Sequence, residues 1–571
     1  MKRIVGVVEC IINLFILLIL SEIITYNDFW KWGIASRRYK ISDFPRLKQF
    51  LFERYSIDAN RMISYPDTFN TLVSANHVAK VKEVFATALP AIKVSFDESC
   101  RLARAVGKSY TDILEIQRNM PIHLPDAVVS PANHDEVVEI LQICSQYNIA
   151  VVPFGGGSNV VGAFKRREYN SPCVVLDMSL MKSLLQLDQV NHIAVFQGGI
   201  FGPELETLLN AKNLTLGHFP QSFEFSALGG WVATHSAGQE SSGYGRIEDM
   251  VVSLKVATPT GTMHTSSYEH DAEGINLKSL FYGSEGMFGV ITEVSVRVHN
   301  LPANKKWLVA LFPNFEQGTE AVRTIVQKNL HPAVVRFSDE QETFFLQYTS
   351  HKPITLFSRI KSNISKSLLT LKGIKTPCLF MLRFDGEKED NHIKSVIASE
   401  IVKKHKGMLL GGKLGIKWER SRFDLPYLRD NLLENGMLVD TMETVLPWNK
   451  IPEFKRGLLA ELQKSSAFGF EKGVLMSHLS HVYQSSCSIY FTVITVQDVA
   501  DTMAQWESLK KTVTDFIVGS GGAVSHHHSI GRMHQPWYVK KTDKLSQEIL
   551  RNIKHTLDPN HILNPGKLYD E

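Results

Sequence analysis

Residues 149–162 read IAVVPFGGGSNVVG, an apolar run of strand length that passes directly into Gly155, Gly156 and Gly157. Glycine tolerates positive φ and lets the backbone approach a ligand closely, so successive N–H groups can surround a phosphate. The spacing is neither GxxxxGK[ST] nor GxGxxG. Taken alone, the loop is equally a structural turn. Two further small-residue platforms follow, at 226–230 (SALGG) with 234–238 (THSAG), and at 283–292 (GSEGMFGVIT). Glycines placed in three separated segments, each beside a strand, predict the lining of one long ligand; loose turns are the alternative.

The elements around these loops predict an α+β chain. DAVVSP reads as a strand, Pro131 and Asn133 introduce a helix over HDEVVEILQICSQYN, and IAVVPF is the next strand. PCVVLDMS, HIAVFQGG, MVVSLKVATPTG and GVITEVSVRVH read as further strands. The 571 residues have room for two to four domains. We divide them into an apolar segment (1–26), a helical scaffold without a catalytic motif (27–118), the glycine-loop domain (119–301), a mixed α/β region (302–515) and a C-terminal loop and helix (516–571).

Composition narrows the partners. A formal net charge of +4 with no long basic run argues against nucleic acid. Cys10, Cys100, Cys144, Cys173, Cys378 and Cys487 form no CxxC pair, which argues against a disulfide scaffold and a zinc ribbon. At the N-terminus, Lys2 and Arg3 precede about twenty mostly apolar residues. Glu9 and Asn13 interrupt them, and the core without a charge, 10–20, is short for a span. Counted over 4–24 the segment just reaches across a bilayer, so a membrane anchor is expected; a signal peptide and a buried helix are the alternatives.

Near the other end, GSGGAVSHHHSIGRMHQPWY (519–538) carries His526, His527 and His528 in succession. Three readings compete: a metal site, a pH-sensitive loop and a catalytic cluster. No carboxylate or cysteine stands at ligand spacing, so no metal is expected. If the stretch is extended, His526 and His528 share one face and His527 takes the other.

Four motifs in order, PFGGGS, FSALGGW, YGRIEDMV and GSEGMFGVIT, resemble the FAD-binding domain of the vanillyl-alcohol oxidase type over residues 121–301. The resemblance implies a two-subdomain FAD-binding domain followed by an α/β cap domain that binds substrate, with the apolar N-terminal helix and helical region added. It also implies FAD contacts from Pro153, Phe154, Gly155, Gly156, Gly157, Ser158 and Asn159. Further contacts are implied for Gln221, Ser222, Phe223, Glu224, Phe225, Ser226 and Ala227, and for Thr234, His235, Ser236 and Ala237. Glu285, Gly286, Met287, Phe288, Gly289, Val290, Ile291 and Arg336 complete the set. Some members attach FAD through a histidine after the glycine loop; Ser158 and Asn159 stand there, so the FAD is expected to be non-covalent.

PYLRDNLLENGMLVDTMETVLPW, SHLSHVYQSSCSIYFTV and SGGAVSHHHSIG resemble the ether-lipid branch of that family, the alkyldihydroxyacetonephosphate synthases, from about residue 95 onward. The resemblance implies exchange of the acyl chain of acyl-dihydroxyacetone phosphate for a long-chain fatty alcohol. The same resemblance implies that flavin N5 adds to the substrate carbon, the fatty acid leaves and the alkoxide attacks, with no net redox. It implies substrate binding by Arg429, on the phosphate, and by Thr441, and proton abstraction by Tyr490, lowered from its ordinary value by cations or donors among His526, His527 and His528. His218 matches another active-site residue, and Arg336 an arginine needed for an intact site. A surface ion pair for Arg429, a structural role for Arg336 and core positions for His218 and Tyr490 are the competing readings. A membrane-bound FAD-dependent 2-hydroxy-acid dehydrogenase or oxidase is the alternative function. Those enzymes carry a His-Gly-Asp-Gly metal segment where this chain reads SHVYQSSCSIYF. A silent FAD-fold scaffold is the third reading.

Ser529 stands where the family has Gly, Thr441 where Ser is common, and Cys10 where a peroxisomal element would carry His or Gln. The family implies a membrane-associated peroxisomal enzyme and a homodimer; the apolar N-terminus allows the endoplasmic reticulum as the alternative.

Overall fold

Asn133 caps the helix His134–Gln146 as its spacing predicts, its side chain accepting the Glu136 backbone N–H. Val137, Ile140, Leu141 and Cys144 recur at helical spacing on one face and are fully buried. They pack on a four-stranded sheet in which Ala127–Ser130, Cys173–Asp177 and Ala150–Phe154 run parallel. These strands read as unbroken apolar runs because both faces are covered. The structure, a computed structural model, describes residues 28–57, 63–164, 171–349, 369 and 373–569. The apolar segment 1–26 lies outside them. No helix among the described residues is long and apolar enough to cross a membrane.

A second, antiparallel sheet orders its strands as Gly261–His264, Val251–Thr258, Val290–Arg297, Ile193–Gln197 and Leu184–Asp188. The glycine platforms lie at its inner edge: the Gly198 N–H donates to the Thr292 carbonyl at 2.7 Å, and the Gly229 N–H to the Gly198 carbonyl at 2.7 Å. A third sheet has seven strands, in the order Met408–Leu409, Asn304–Phe312, Cys378–Gly386, Val334–Ser338, Val474–Val482, Ser486–Val496 and Met437–Pro447. Helices Phe315–Gln327, Lys388–Lys404 and Ile451–Leu462 cover its outer face and build the largest apolar core.

The region expected to be a helical scaffold departs from that reading in two ways. It contains the helices Pro45–Tyr55, Ala75–Ala88, Glu98–Leu102 and Tyr110–Gln117, but Lys93–Ser95 is a strand that joins the first sheet against Ala127–Ser130. A three-residue strand carries too little periodicity to be read locally; its pairing is tertiary. Residues 28–44 also pack over the central cavity, which a scaffold would not do.

The helix Thr502–Gly519 leads into the histidine loop, and the chain then returns to the first sheet. There the Val151 N–H donates to the Ile562 carbonyl at 2.8 Å, and the Asn564 N–H to the Val151 carbonyl at 2.9 Å.

A buried ionic knot joins the glycine-loop half to the third sheet. Arg383 is fully buried and meets Asp385 at 2.7 Å, Glu419 at 2.8 Å and Glu240 at 2.8 Å. Tyr244 donates to Asp385 at 2.9 Å, and Arg422 pairs with the other oxygen of Glu240. Taking one cation from such a knot leaves buried carboxylates uncompensated. Arg383→Ala is therefore expected to lose roughly 3–5 kcal/mol, measured as an earlier unfolding transition by circular dichroism, and Arg383→Lys to recover only part of it because one ammonium cannot span three carboxylates.

Candidate active site

The three sheets enclose a cavity of about 880 Å³. Pro153 through Asn159 form one wall, with Gly198, Gly229, Gly230, Gly286 and Gly289 beside them. At Gly156 the wall admits no side chain: a Cβ there would stand 1.7 Å from the Phe225 carbonyl oxygen. Gly157 holds a φ of +66°, open to glycine and strained for other residues. Among the described residues, the N–H groups of Gly156, Gly157 and Ser158 find no acceptor within the protein. A glycine turn packed too closely on the protein for a Cβ at Gly156, with orphaned donors at Gly156, Gly157 and Ser158, fits a pyrophosphate-bearing cofactor.

Gln221, Ser222, Ser226, Ala227, Thr234, Ser236, Ala237, Gly286, Gly289, Val290 and Ile291 also face the cavity. Several residues expected to touch cofactor do not line the cavity. Phe223 stacks on Phe423 at 5.4 Å within the core, Phe225 meets Trp32 edge-on, and Glu224 accepts from Tyr427 at 2.9 Å. The turn Phe223–Phe225 directs these side chains away and presents only its flanks. His235 is half-exposed and pairs with Glu248 at 3.0 Å. Met287 and Phe288 are buried in the second sheet's core. Glu285 lies on the wall, but its carboxylate is occupied elsewhere. It accepts from the Ser529 hydroxyl at 2.5 Å, the Ile530 N–H at 2.8 Å and the Gly531 N–H at 2.8 Å. Ser529 holds a φ of +73°, which explains why glycine suits this position; the serine answers with the hydroxyl bond to Glu285.

Tyr490 sits at the centre of a row across three strands, paired in register with His478 on one side and Glu443 on the other. Its ring stacks on His478 at 4.9 Å and on His527 at 5.8 Å, and meets His528 edge-on at 5.4 Å. The histidine loop is not extended, so the expected sharing of faces is replaced. Adjacent His527 and His528 line the cavity, while His526 turns behind them against the Tyr483 hydroxyl at 2.7 Å. The device that shapes the loop is Glu443. Its buried carboxylate accepts the backbone N–H of His526 at 2.6 Å, of His527 at 3.1 Å and of His528 at 3.0 Å, and the Ser525 hydroxyl at 2.8 Å.

Glu443, His478, His481 and Glu342 carry no role in the sequence reading. A lone glutamate inside the apolar strand VDTMETVLP was the available signal, since an acid there requires several donors.

Burial sets the protonation states. It holds His481 and His218 down to about 3, and His478, His526, His527 and His528 below the ordinary imidazole value, so all six are neutral at pH 7. Glu443 is held at about 2: burial opposes ionisation, and His528 and His526 in their protonated forms, the loop N–H groups and the Ser525 hydroxyl outweigh it. Tyr490 is pushed up by burial; the Thr441 hydroxyl and Arg336 pull the other way, while Glu443 and Asp440 add to the rise. The expectation that nearby cations lower it is thereby corrected: the histidines are neutral, and the phenol keeps its proton in the free protein.

His481, His526 and His527 bring ring nitrogens within 4.8 Å of one another, the metal-capable grouping among the described residues. Those nitrogens already bond internally, His526 to His527 at 3.0 Å and His481 to the Gly238 carbonyl at 3.1 Å.

Arg336 lines the cavity, pairs with Glu342 at 2.6 Å and bonds His478 at 3.3 Å. It therefore belongs to the Tyr490 cluster rather than to the glycine wall. Arg429 and Thr441 also line the cavity. Thr441 lies two residues from Glu443 on the same strand face. His218 does not line it: fully buried, it bonds Ser236 at 3.2 Å from behind the wall.

Residues 125–267 match the family described as "FAD binding domain", and residues 301–568 the family described as "FAD linked oxidases, C-terminal domain". With the glycine wall and its orphaned donors, these matches define an FAD-dependent enzyme of two-domain, mixed α/β architecture. Alkyldihydroxyacetonephosphate synthase of Dictyostelium discoideum is 35% identical over 86% of this chain and 80% of its own length. That of Caenorhabditis elegans is 30% identical over 96% of each chain. A solved alkyldihydroxyacetonephosphate synthase structure superposes with a TM-score of 0.78 at 28% identity, covering 94% of this chain and 98% of that one. The chain belongs to the alkyldihydroxyacetonephosphate synthase family.

Two outcomes test the site. Gly156→Ala should weaken FAD binding on the order of tenfold, the scale of inserting a methyl into a packed wall, measured as flavin absorbance per protein. Glu443→Gln should destabilise the loop at neutral pH. Because the Glu443 acidity is raised on folding, the carboxylate stabilises fully above its unfolded value of 4.5, and the contribution is lost as pH falls toward about 2. The stability gap between wild type and Glu443→Gln, measured by denaturant titration, should therefore close across that window.

Proposed function

We propose that the protein exchanges the acyl chain of 1-acyl-dihydroxyacetone phosphate for a long-chain fatty alcohol, releasing a fatty acid and forming the 1-alkyl ether. The observation that carries this reading is the enclosure of Tyr490 by neutral imidazoles above a buried carboxylate, in the same cavity as Arg429 and the glycine wall. An apolar portion lined by Phe44, Phe345, Leu346, Leu425, Leu432 and Met476 suits an aliphatic chain. When bound, FAD would be held along the glycine wall of Gly155, Gly156 and Gly157 and would supply an electron-accepting ring, with no net redox. Ser158 and Asn159 offer no imidazole after the glycine loop, which supports non-covalent binding.

The phosphate is a dianion and calls for a planar cationic fork, which Arg429 provides. Tyr490 takes the C1 proton beside the ketone as its own proton passes to an imidazole of His527 or His528. Both rings are neutral and able to accept it. The imidazolium so formed lies 3.9–4.0 Å from Glu443, whose negative charge stabilises it. His526 steers His527 through the bond between their Nδ1 atoms. The apolar residues 1–26 lead us to place the enzyme on a membrane, peroxisomal by its family or of the endoplasmic reticulum; its family alone suggests a homodimer.

Purified protein incubated with palmitoyl-dihydroxyacetone phosphate and labelled hexadecanol, without an electron acceptor, should form the alkyl ether. Tyr490→Phe should lower the rate roughly 10²–10⁴-fold while keeping its flavin. No ether, with flavin bleaching by a 2-hydroxy acid, would replace this reading with a dehydrogenase.

A further inference from the structure

The segment from Asp28 to Phe44 lies against Arg429. The Trp32 backbone N–H donates to Asp430 Oδ2 at 2.7 Å. The other oxygen of that carboxylate, Oδ1, accepts from Arg429 Nε at 3.1 Å and from Nη2 at 2.9 Å. Arg429 Nη1 donates to the Lys108 carbonyl at 2.6 Å, and the Lys108 ammonium donates in turn to the Phe29 carbonyl. The Trp32 indole faces the guanidinium, with Cζ 5.4 Å from the ring centroid, inside the range of a cation–π contact. The indole is itself fixed, buried and met edge-on by Phe225 at 5.0 Å. Farther along, the Ile34 N–H donates to the Tyr427 hydroxyl at 3.0 Å, and Arg37 pairs with Glu224 and Asp424.

The arrangement has a directional consequence. An arginine beside a free carboxylate turns both terminal nitrogens onto it in a fork. Here the Trp32 N–H occupies Oδ2, so Asp430 offers Arg429 a single oxygen from the side. Of the five guanidinium N–H groups, three are committed, and one on each terminal nitrogen remains, the pair that a phosphate takes up.

We infer that Trp32 is the positioning residue of the anion-binding arginine, and that the strap 28–44 is a working part of the substrate site. This rests on the reading of Arg429 as the phosphate ligand. The strap sets the guanidinium plane and withholds one carboxylate oxygen; it contacts neither Tyr490 nor the histidine loop. Trp32 therefore governs capture of the phosphate-bearing substrate and leaves the alcohol and the chemical step alone.

Full-length, flavin-loaded Trp32→Leu, Trp32→Phe and Arg429→Lys test it, with KM for palmitoyl-dihydroxyacetone phosphate and for hexadecanol measured separately and inorganic phosphate as a competitive inhibitor. Trp32→Leu should raise KM for the phosphate substrate about fivefold to thirtyfold, the range of a desolvated cation–π contact. The inhibition constant of phosphate should rise in parallel, kcat should stay within about twofold, and KM for the alcohol should not change. Trp32→Phe keeps a weaker π face and should show a rise of about twofold to threefold. This variant decides the matter if Trp32→Leu does not retain flavin. An unchanged KM in Trp32→Phe and Trp32→Leu beside a raised KM in Arg429→Lys overturns the inference, as does an equal rise for both substrates. An unchanged phosphate KM in Arg429→Lys sinks the reading of Arg429 itself, whatever Trp32 does.

Discussion

A single buried carboxylate organises the chemistry of this protein. Glu443 stands on the third sheet opposite Tyr490 and draws three consecutive backbone N–H groups and one hydroxyl from the loop that carries the histidines. A buried charge without donors would cost several kcal/mol. Here the donors come from the loop whose His527 and His528 side chains line the cavity. The requirement to satisfy the carboxylate and the requirement to aim His527 and His528 are met by the same bonds. Tyr490 then has no freedom to relocate, because its strand neighbours on both sides belong to the cluster.

The loop is gripped at its other end by Glu285, from the opposite half of the molecule. Residues 525–531 thus hang between two glutamates, one on the substrate side and one on the flavin side. The ionic knot around Arg383 does the same work on a larger scale, tying Glu240 and Tyr244 to the third sheet. The cavity's shape is in this sense electrostatic: its apolar surfaces give volume, and buried charges fix which surfaces face each other.

Much of this was legible in the sequence where one segment carried the whole signal. The glycine wall was, because a run of glycines after a strand is a local pattern with a local cause. Tyr490 and the triple histidine were named from motifs and do meet in space. What escaped depended on partners remote in the chain. Glu285 reads as part of a glycine platform, yet its side chain serves a loop more than two hundred residues away. Phe223 and Phe225 share a motif with cavity residues but turn into the core, since a short turn cannot aim every side chain one way. The state of Tyr490 was misjudged because a histidine's charge is set by burial, which no neighbour in sequence reveals. Lys93–Ser95 and the strap at Trp32 were passed over for want of periodicity.

Residues 562–564 lie beside the strand that feeds the glycine wall, with Ile562 and Asn564 both bonded to Val151. This has a consequence for how the protein is made. Domains of a growing chain fold as units, the N-terminal ones first. Here the first sheet lacks a bordering segment until residues 562–564 have been made, and Glu285 lacks its partners until 529–531 have. The glycine wall, encoded at 153–159, is therefore bordered by segments made long after it.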